Sequence, residues 1–260
     1  MSQVLNISGY KFVPVLELPE LQAGLLLQAN KLHLKGTILL SPEGLNLNLA
    51  GCPEDISAFC TFLKKDARFA DMTFRESYSM TQPFRFMKVK LKKEIITFRQ
   101  SDVRPEAEAA TALAPEKFKQ WLDEGRDITV LDTRNDYEVR FGTFQNAEHL
   151  HLTHFSEFSE ASKKISRNKP IVMFCTGGIR CEKAALTMLQ AGHTEVYQLE
   201  GGILNYFAKV GGDYFQGECF VFDQRIAVDA SLQATGTIQC QECQGPITKE
   251  QSACSVCIHY

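Results

Sequence analysis

The sequence lacks an excess of charge of either sign, since 28 lysine and arginine residues against 31 aspartate and glutamate residues leave a formal net charge of −3. A globally basic surface, common in nucleic-acid-binding proteins, is therefore excluded, and any contact with RNA has to come from a local patch. No segment approaches the ~20 apolar residues that span a bilayer. No basic stretch followed by an apolar core indicates a signal peptide. We expect no association with a membrane.

Cysteine is the residue type whose number and distribution stand out. Four of the nine cysteines fall in the last 21 residues, and the set does not form the even framework of a disulfide-rich secreted domain. We therefore expect a reducing compartment, the cytoplasm. With 260 residues, of which 44% are hydrophobic and 23% charged, the chain suits one large or two medium globular domains.

Residues 171–186 contain an apolar strand, then Cys175, a short loop that ends at Arg180, and an amphipathic helix. This order directs backbone N–H groups and the positive end of a helix at one sulfur, which lowers the pKa of a cysteine. Glycines in the loop allow the tight curvature that this requires. We predict that Cys175 is catalytic, that Arg180 adds a fixed positive charge, and that the loop is formed by Thr176, Gly177, Gly178 and Ile179.

The spacing of this loop indicates which group it holds. A Cys-x4-Arg ring is one residue shorter than the Cys-x5-Arg loops that bind phosphate, so it favours a single sulfur atom carried as a persulfide. The alternative is that Cys175 is a small buried apolar side chain at a strand end. Cys181 lies on the first turn of the helix. It is either a resolving or accessory thiol or a residue that packs against the sheet.

Several short motifs around this loop follow the order of the motifs of the rhodanese family: Asp132-Thr-Arg134, Tyr137-Glu138, Gly142, Asn146-Ala147 and Leu199-Glu-Gly-Gly202. Within that family, residues 174–184 and 217–225 resemble the bacterial rhodanese-like tRNA uridine hydroxylases, and the likeness extends over nearly the whole chain. The resemblance implies an oxidoreductase that hydroxylates the wobble uridine (position 34) of tRNA at C5 to give 5-hydroxyuridine. It implies molecular oxygen as co-substrate, an essential Cys175, and the anticodon region of tRNA as the partner.

Two other functions stay open. A sulfurtransferase that carries a persulfide on Cys175 and passes the sulfur to a small-molecule or protein acceptor uses the same loop. A non-catalytic binding module also stays possible, although an intact Cys-x4-Arg loop argues against it.

The predicted elements divide the chain into four parts and give an α/β fold. Residues 1–98 follow the order β-α-β-β-α-β of a ferredoxin-like (acylphosphatase-like) domain. Residues 99–114 resemble a linker, and residues 115–215 alternate apolar strands with helices, which predicts a rhodanese-like parallel sheet with helices on both faces. Residues 216–260 form a C-terminal flap and a cysteine-rich tail.

Asp132 and Arg134 follow a predicted strand in the second domain. The working loops of such sheets lie beyond the carboxyl ends of the strands, where Asp132 and Cys175 both fall. We predict that Asp132 and Arg134 position the loop, with Asp132 accepting backbone N–H groups and Arg134 pairing with Glu138 one turn further on.

A basic strand is predicted near the end of the first domain. Lys88, Lys90 and Lys92 alternate with apolar residues, and Arg85 extends the basic face. This face is either a contact surface for the RNA backbone or an ordinary solvated surface.

Two sets of side chains raise the question of metals. Two Cys-x2-Cys pairs, made of Cys240, Cys243, Cys254 and Cys257, suit a structural zinc ion, the alternative being a disordered tail with free thiols. His149, His151 and His154 form a His-x-His-x-x-His string, but we do not predict iron there because no obvious carboxylate completes a facial triad. The sequence shows no flavin or nicotinamide fingerprint, and we predict no other cofactor.

Overall fold

The computed structural model describes residues 3–251 and 253–257. The chain divides into two compact units at the Thr97–Phe98 bond. None of the helices among the described residues is long and apolar enough to cross a membrane.

The N-terminal unit is a mixed sheet with two helices. Its strands are β1 (Val4–Phe12), β2 (Lys35–Ser41), β3 (Gly44–Gly51), β4 (Arg75–Ser79) and β5 (Met87–Leu91), and its helices are α1 (Leu18–Lys31) and α2 (Pro53–Leu63). The strand order is β4-β1-β3-β2-β5, in which β5 pairs parallel with β2 and the other neighbours are antiparallel. The predicted β-α-β-β-α-β arrangement is confirmed, with β5 added at one edge.

Alternation along β3 explains why this sheet has a core. Leu45, Leu47 and Leu49 are fully buried, while the two asparagines between them are only partly buried. Successive side chains of a strand point to opposite faces, so one face of β3 is continuously apolar. Ile56 and Phe59 of α2 belong to the same core.

The C-terminal unit is built on a parallel sheet. Its strands are β6 (Thr111–Leu113), β7 (Thr129–Asp132), β9 (Glu148–His149), β10 (Ile171–Phe174) and β11 (Val196–Leu199), and its helices are α3 (Pro115–Asp123), α4 (Asp136–Val139), α5 (Phe158–Ala161), α6 (Ile179–Gln190) and α7 (Gly202–Val210). The order β6-β11-β10-β7-β9 is parallel throughout. Every residue of β7 and β10 is buried, as expected for strands covered on both faces. The predicted rhodanese-like sheet is confirmed.

Three two-stranded pairs complete this unit. They are β8 (Gly142–Phe144) with β12 (Phe215–Gly217), β13 (Cys219–Phe220) with β14 (Ala227–Val228), and β15 (Ile238–Gln239) with β16 (Pro246–Ile247). β8 lies within the predicted rhodanese-like domain and pairs with β12, where the segment predicted as a flap begins. The second pair lies within that segment, and the third belongs to the cysteine-rich tail.

The segment predicted as a linker contains a strand. Residues 111–113 form β6 and pair with β11 at the edge of the sheet. Only Leu113 of this strand is buried, so the sequence carries no apolar alternation that indicates a strand.

Three strands of the sheet end at one edge. Phe174 is the register partner of Asp132, and Asp132 is the register partner of His149. Because the strands are parallel, their carboxyl ends meet on the same side, and the residues that follow them share one region of the surface.

Candidate active site

The loop after β10 curves around the sulfur of Cys175. The backbone N–H of Gly178 donates to Cys175 Sγ at 3.1 Å. Gly178 is the N-cap of α6 and has a φ of 96°, a left-handed conformation that residues with a Cβ rarely adopt. The glycine therefore allows the chain to turn its amide towards the sulfur just before the helix begins.

The start of α7 holds the outer side of this loop. The N–H groups of Ile203 and Leu204 donate to the carbonyl oxygens of Cys175 and Thr176, at 3.0 and 3.1 Å. Gly202 has a φ of 66°, and a Cβ on it would lie 2.3 Å from the carbonyl oxygen of Cys175. This close approach explains the second glycine of the Leu199-Glu-Gly-Gly202 motif, and the first has a φ of 71°, also in the left-handed region.

Arg180 is buried and forms an ion pair with Glu138. Its two terminal nitrogens donate to the two carboxylate oxygens of Glu138, with 2.7 Å between Nη2 and Oε2. The side chains are 5% and 0% exposed, so this is not a solvated surface pair. Burial alone would lower the pKa of Arg180, but the charge and hydrogen bonds of Glu138, together with Cys175, raise it well above its usual value.

The sequence analysis named Glu138 only as a partner of Arg134 and missed its contact with Arg180. Glu138 is the third residue of α4 and forms a capping box with Asn135, whose N–H donates to Glu138 Oε1 at 3.2 Å. The Asn-x-x-Glu spacing predicts such a box, but it does not show that the same carboxylate meets an arginine 42 residues further along the chain.

Asp132 and Arg134 form a second buried ion pair beside the loop. Arg134 donates to Asp132 Oδ1 through its backbone N–H at 3.0 Å and through Nε at 2.9 Å. Its Nη2 donates to the carbonyl of Gly142 at 2.6 Å, and the hydroxyl of Thr143 donates to Asp132 Oδ2 at 2.8 Å. The predicted pairing of Arg134 with Glu138 is wrong. Arg134 lies before the first turn of α4, where the helical spacing of four residues does not apply.

Cys175 and Cys181 are neighbouring buried cysteines whose pKa values are shifted in opposite directions. Burial alone would raise the pKa of Cys175, but the Cys181 thiol, the charge of Arg180 and the backbone N–H groups of Arg180 and Gly178 lower it to about 5. The pKa of Cys181 is raised well above its usual value by burial and by the neighbouring Cys175. These shifts favour the thiolate of Cys175 at neutral pH and the neutral thiol of Cys181, which donates to it. Thr133 Oγ1 lies 3.7 Å from Cys181 Sγ.

The segment after β12 covers the loop. The hydroxyl of Thr176 donates to the carbonyl of Phe220 at 3.5 Å, and the guanidinium of Arg180 lies 5.9 Å from the ring centre of Phe222. Cys175 itself is fully buried, whereas Gly177 and Ile179 on the rim of the loop are partly exposed. A reagent approaching the sulfur therefore meets this rim first.

The four tail cysteines lie close together in space. Cys240 Sγ is 3.8 Å from Cys257 Sγ, and Cys243 Sγ is 3.6 Å from Cys254 Sγ. All four sulfurs lie within 4.8 Å of one another. A tetrahedral ion with metal–sulfur bonds of about 2.3 Å separates its ligands by about 3.8 Å, so this arrangement could bind a metal ion.

The basic residues predicted on β5 are on the surface of the N-terminal unit. Arg85, Lys88, Lys90 and Lys92 are all exposed, and β5 is an edge strand. The sequence analysis missed the aromatic ring among them. Phe86 is 62% exposed, and its ring centre lies 5.7 Å from both the guanidinium of Arg85 and the ammonium of Lys88.

A parallel sheet with a cysteine loop of this geometry defines the rhodanese-like class. Residues 114–209 match the family model for the rhodanese-like domain, and residues 4–95 match that of the UPF0176 acylphosphatase like domain. A rhodanese-related protein of Thermoplasma volcanium is 25% identical, with a TM-score of 0.34, and the likeness covers 39% of this chain and 94% of that one.

Whole-chain relatives give a narrower assignment. The tRNA uridine(34) hydroxylase of Cupriavidus pinatubonensis is 49% identical over 257 residues, which cover 96% of this chain and 91% of the relative. That of Paraburkholderia xenovorans is 46% identical over 259 residues, covering 95% and 90%. The chain belongs to the tRNA uridine(34) hydroxylase family, which confirms the resemblance seen in the sequence.

The ionisation of Cys175 can be measured directly. We expect the thiolate absorbance of the wild-type protein, minus that of Cys175→Ser, to rise in one step near pH 5. The thiol of an unfolded chain ionises near 9.0, so this group stabilises the fold fully above that value. The stabilisation is lost as the pH falls from 9 towards 5. Urea unfolding of wild type and Cys175→Ser across this range measures the difference.

The matched control for this titration is Cys60→Ser. Cys60 is a half-buried thiol whose pKa burial raises to about 11, so its removal should leave the step near pH 5 unchanged. A Cys175 step that appears only above pH 8 contradicts the ionisation that the geometry gives.

Proposed function

We propose that this chain hydroxylates C5 of the wobble uridine, at position 34 of tRNA, with molecular oxygen as co-substrate and Cys175 as the essential reacting group. The observation that carries the proposal is a fully buried cysteine whose sulfur accepts from the backbone N–H of Gly178, in a chain that matches tRNA uridine(34) hydroxylases over 96% of its length. The name of these relatives favours this reaction over sulfur transfer. We assign the enzyme to the cytoplasm, where its cysteines stay reduced.

The overall chemistry replaces the C5–H bond of the uracil ring with a C5–OH bond. One oxygen atom of O2 enters the base, and a reductant supplies the electrons that convert the other to water. Within this scheme Cys175 supplies a nucleophilic sulfur that is ionised before substrate arrives. Arg180 holds negative charge on or beside that sulfur, and Glu138 fixes the position of Arg180.

The substrate reaches this sulfur from the rim of the loop. Enzymes that modify a base take it out of its stack, and the cost is least in a single strand such as an anticodon loop. Apart from the chain neighbours of Gly177, none of the residues that the structure describes lies within 4 Å of the position that a Cβ would occupy, so the loop leaves space there. We propose that the base approaches beside Gly177 and Ile179.

Loss of Cys175 tests this function. We expect tRNA hydroxylation by purified Cys175→Ser to fall at least ~1,000-fold, to the assay background, because serine is not ionised at neutral pH and removing a nucleophile abolishes the step that depends on it. Mass analysis of nucleosides after incubation with unmodified tRNA, with and without oxygen, measures 5-hydroxyuridine.

Cys60→Ser is the matched control and should retain wild-type activity. A Cys175→Ser enzyme that still forms 5-hydroxyuridine contradicts the proposed role of the thiolate. Rapid turnover of thiosulfate with cyanide, in a wild-type protein that leaves tRNA unchanged, indicates a sulfurtransferase instead.

We propose in addition that Arg85, Lys88, Lys90 and Lys92 contact the tRNA backbone. Exposed cations on one strand provide charge for phosphate groups, and an exposed ring such as Phe86 offers a surface on which a base can stack. Edge-strand lysines also prevent sheet-to-sheet aggregation, but that role does not need an exposed phenylalanine among them.

Salt dependence separates these two roles. Replacing Lys88, Lys90 and Lys92 with alanine should weaken tRNA binding and reduce the slope of log affinity against log salt by about 0.7–0.9 for each lost phosphate contact. The control replaces Lys31, Lys35 and Lys65, which are exposed lysines of the same unit, and makes the same change in net charge. Equal salt slopes for the two triple variants show that the strand does not bind RNA.

We propose that the ion held by the tail cysteines is zinc. Four thiolates at tetrahedral spacing match structural zinc sites. Such a site stabilises a segment whose two short strands, β15 and β16, contain only four residues.

Release of zinc by a thiol-specific mercurial reagent tests the tail. We expect one zinc ion to leave each chain as the tail thiols react, and Cys243→Ser to release none, since three thiolates hold the ion less tightly than four. Cys52→Ser, which removes an exposed cysteine of the N-terminal unit, should behave as wild type. Thiols that react without any zinc release contradict the assignment.

A further inference from the structure

The structure brings together three potential metal ligands outside the cysteine loop. Asp136 Oδ1 lies 3.3 Å from His151 Nδ1 and 3.9 Å from His149 Nδ1, and the three ligand atoms are all within 4.8 Å of one another. The carboxylate that the sequence did not reveal for these histidines is therefore supplied by the first residue of α4. His154, the third histidine of the string, does not belong to the cluster.

Backbone contacts hold the three residues in place independently of their side chains. The N–H of Asp136 donates to the carbonyl of Leu152 at 2.8 Å, which attaches the start of α4 to the chain after β9. His151 has a φ of 53°, in the left-handed region, and its ring lies against that of His149 with 4.0 Å between centres. Both imidazoles thus face one carboxylate oxygen.

The donor atoms of this cluster are available to a ligand. Arg140 donates to Asp136 Oδ2 at 3.0 Å, which fixes the carboxylate and leaves Oδ1 directed at the histidines. His149 Nδ1 is buried and has no hydrogen-bond partner among residues 3–251 and 253–257. Buried nitrogens are almost always paired, so an orphan beside a carboxylate indicates a partner that binds there.

We propose that Asp136, His149 and His151 bind a divalent transition-metal ion, with iron(II) as the best match to the donor set. Two imidazoles and one carboxylate on the same side of an ion leave its other coordination positions to water or to an incoming molecule. His151 is the exposed member, with 71% of its side chain accessible, so the open side faces solvent. This inference concerns metal binding and does not rest on the proposed tRNA reaction.

The position of the cluster relates it to the cysteine loop. His149 lies in register with Asp132, and Asp132 with Phe174, the residue before Cys175. Neighbouring strands are about 4.8 Å apart, so the backbones of His149 and Phe174 are about 10 Å apart. The proposed ion and the thiolate thus share one edge of the sheet.

The competing explanation is an ordinary hydrogen-bonded pair of Asp136 and His151, with 3.3 Å between Oδ1 and Nδ1. Such a pair uses the exposed imidazole and leaves His149 Nδ1 without a partner. It predicts that the cluster binds no metal, which the following experiment decides.

The test is a cobalt(II) titration of the full-length protein that has first been given one equivalent of zinc per chain, which the four tail thiolates take up first, followed by visible spectroscopy and metal analysis. We expect His151→Ala and Asp136→Asn to weaken the binding of one cobalt ion at least ~10-fold, the smallest loss expected when a residue that supports a metal site is removed. The difference spectrum between wild type and His151→Ala should show ligand-field bands without thiolate charge transfer, because the site contains nitrogen and oxygen donors only.

His154→Ala and Glu148→Gln are the matched controls, since both residues are exposed neighbours outside the cluster and should bind cobalt as wild type does. Circular dichroism checks that each variant is folded, and the exposed position of His151 makes its substitution the most informative. Equal cobalt binding by wild type and His151→Ala overturns the proposal. A difference spectrum with thiolate charge transfer also overturns it, because the ion is then held by cysteines.

Discussion

The charge of Arg180 is shared between two buried anions, and the rest of the site depends on this sharing. A thiolate that water does not reach needs a positive charge beside it, and Arg180 supplies one within the first turn of α6. A cation at that end of a helix is unfavourable, and burial adds to the cost. The carboxylate of Glu138 offsets both effects. Removing one partner of such a buried pair typically lowers the free energy of unfolding by about 3–5 kcal/mol, because the other charge is left buried without a partner. Arg180 and Glu138 therefore depend on each other.

The surrounding elements hold Cys175, Arg180 and Glu138 in a fixed geometry. Gly202 lets the start of α7 donate to the carbonyls of the loop, which keeps the loop amides free to face the sulfur. The Asp132–Arg134 pair fixes the end of the neighbouring strand. The chain near Phe220 closes the outer side. Because these contacts are made by backbone or by fully buried side chains, the electrostatic environment of Cys175 exists before any substrate binds.

Sequence analysis predicted the geometry of contiguous segments and failed where a contact joins distant ones. The strand, the Cys-x4-Arg loop and the helix start are contiguous, so Cys175, Gly178 and the parallel sheet could be predicted. Glu138 was recognised only as part of a family motif, and the local pairing rule assigned it to Arg134. Its real partner, Arg180, lies 42 residues away, in the first turn of α6. Strand β6 was missed because its one buried side chain gives no periodic pattern.

Helix α4 shows how one short element can connect several chemical groups. Its four residues and the cap that follows contribute Asp136 to the histidine cluster, Glu138 to Arg180, and Arg140, whose Nη1 donates to the carbonyl of Cys243 at 3.4 Å. A single helical turn has little intrinsic stability, so its position depends on these contacts and on its capping box. A displacement of α4 would therefore change three contacts together: that of Glu138 with Arg180 beside the thiolate, that of Asp136 with the histidines, and that of Arg140 with the cysteine-rich tail. The three groups form one mechanically connected region of the C-terminal unit.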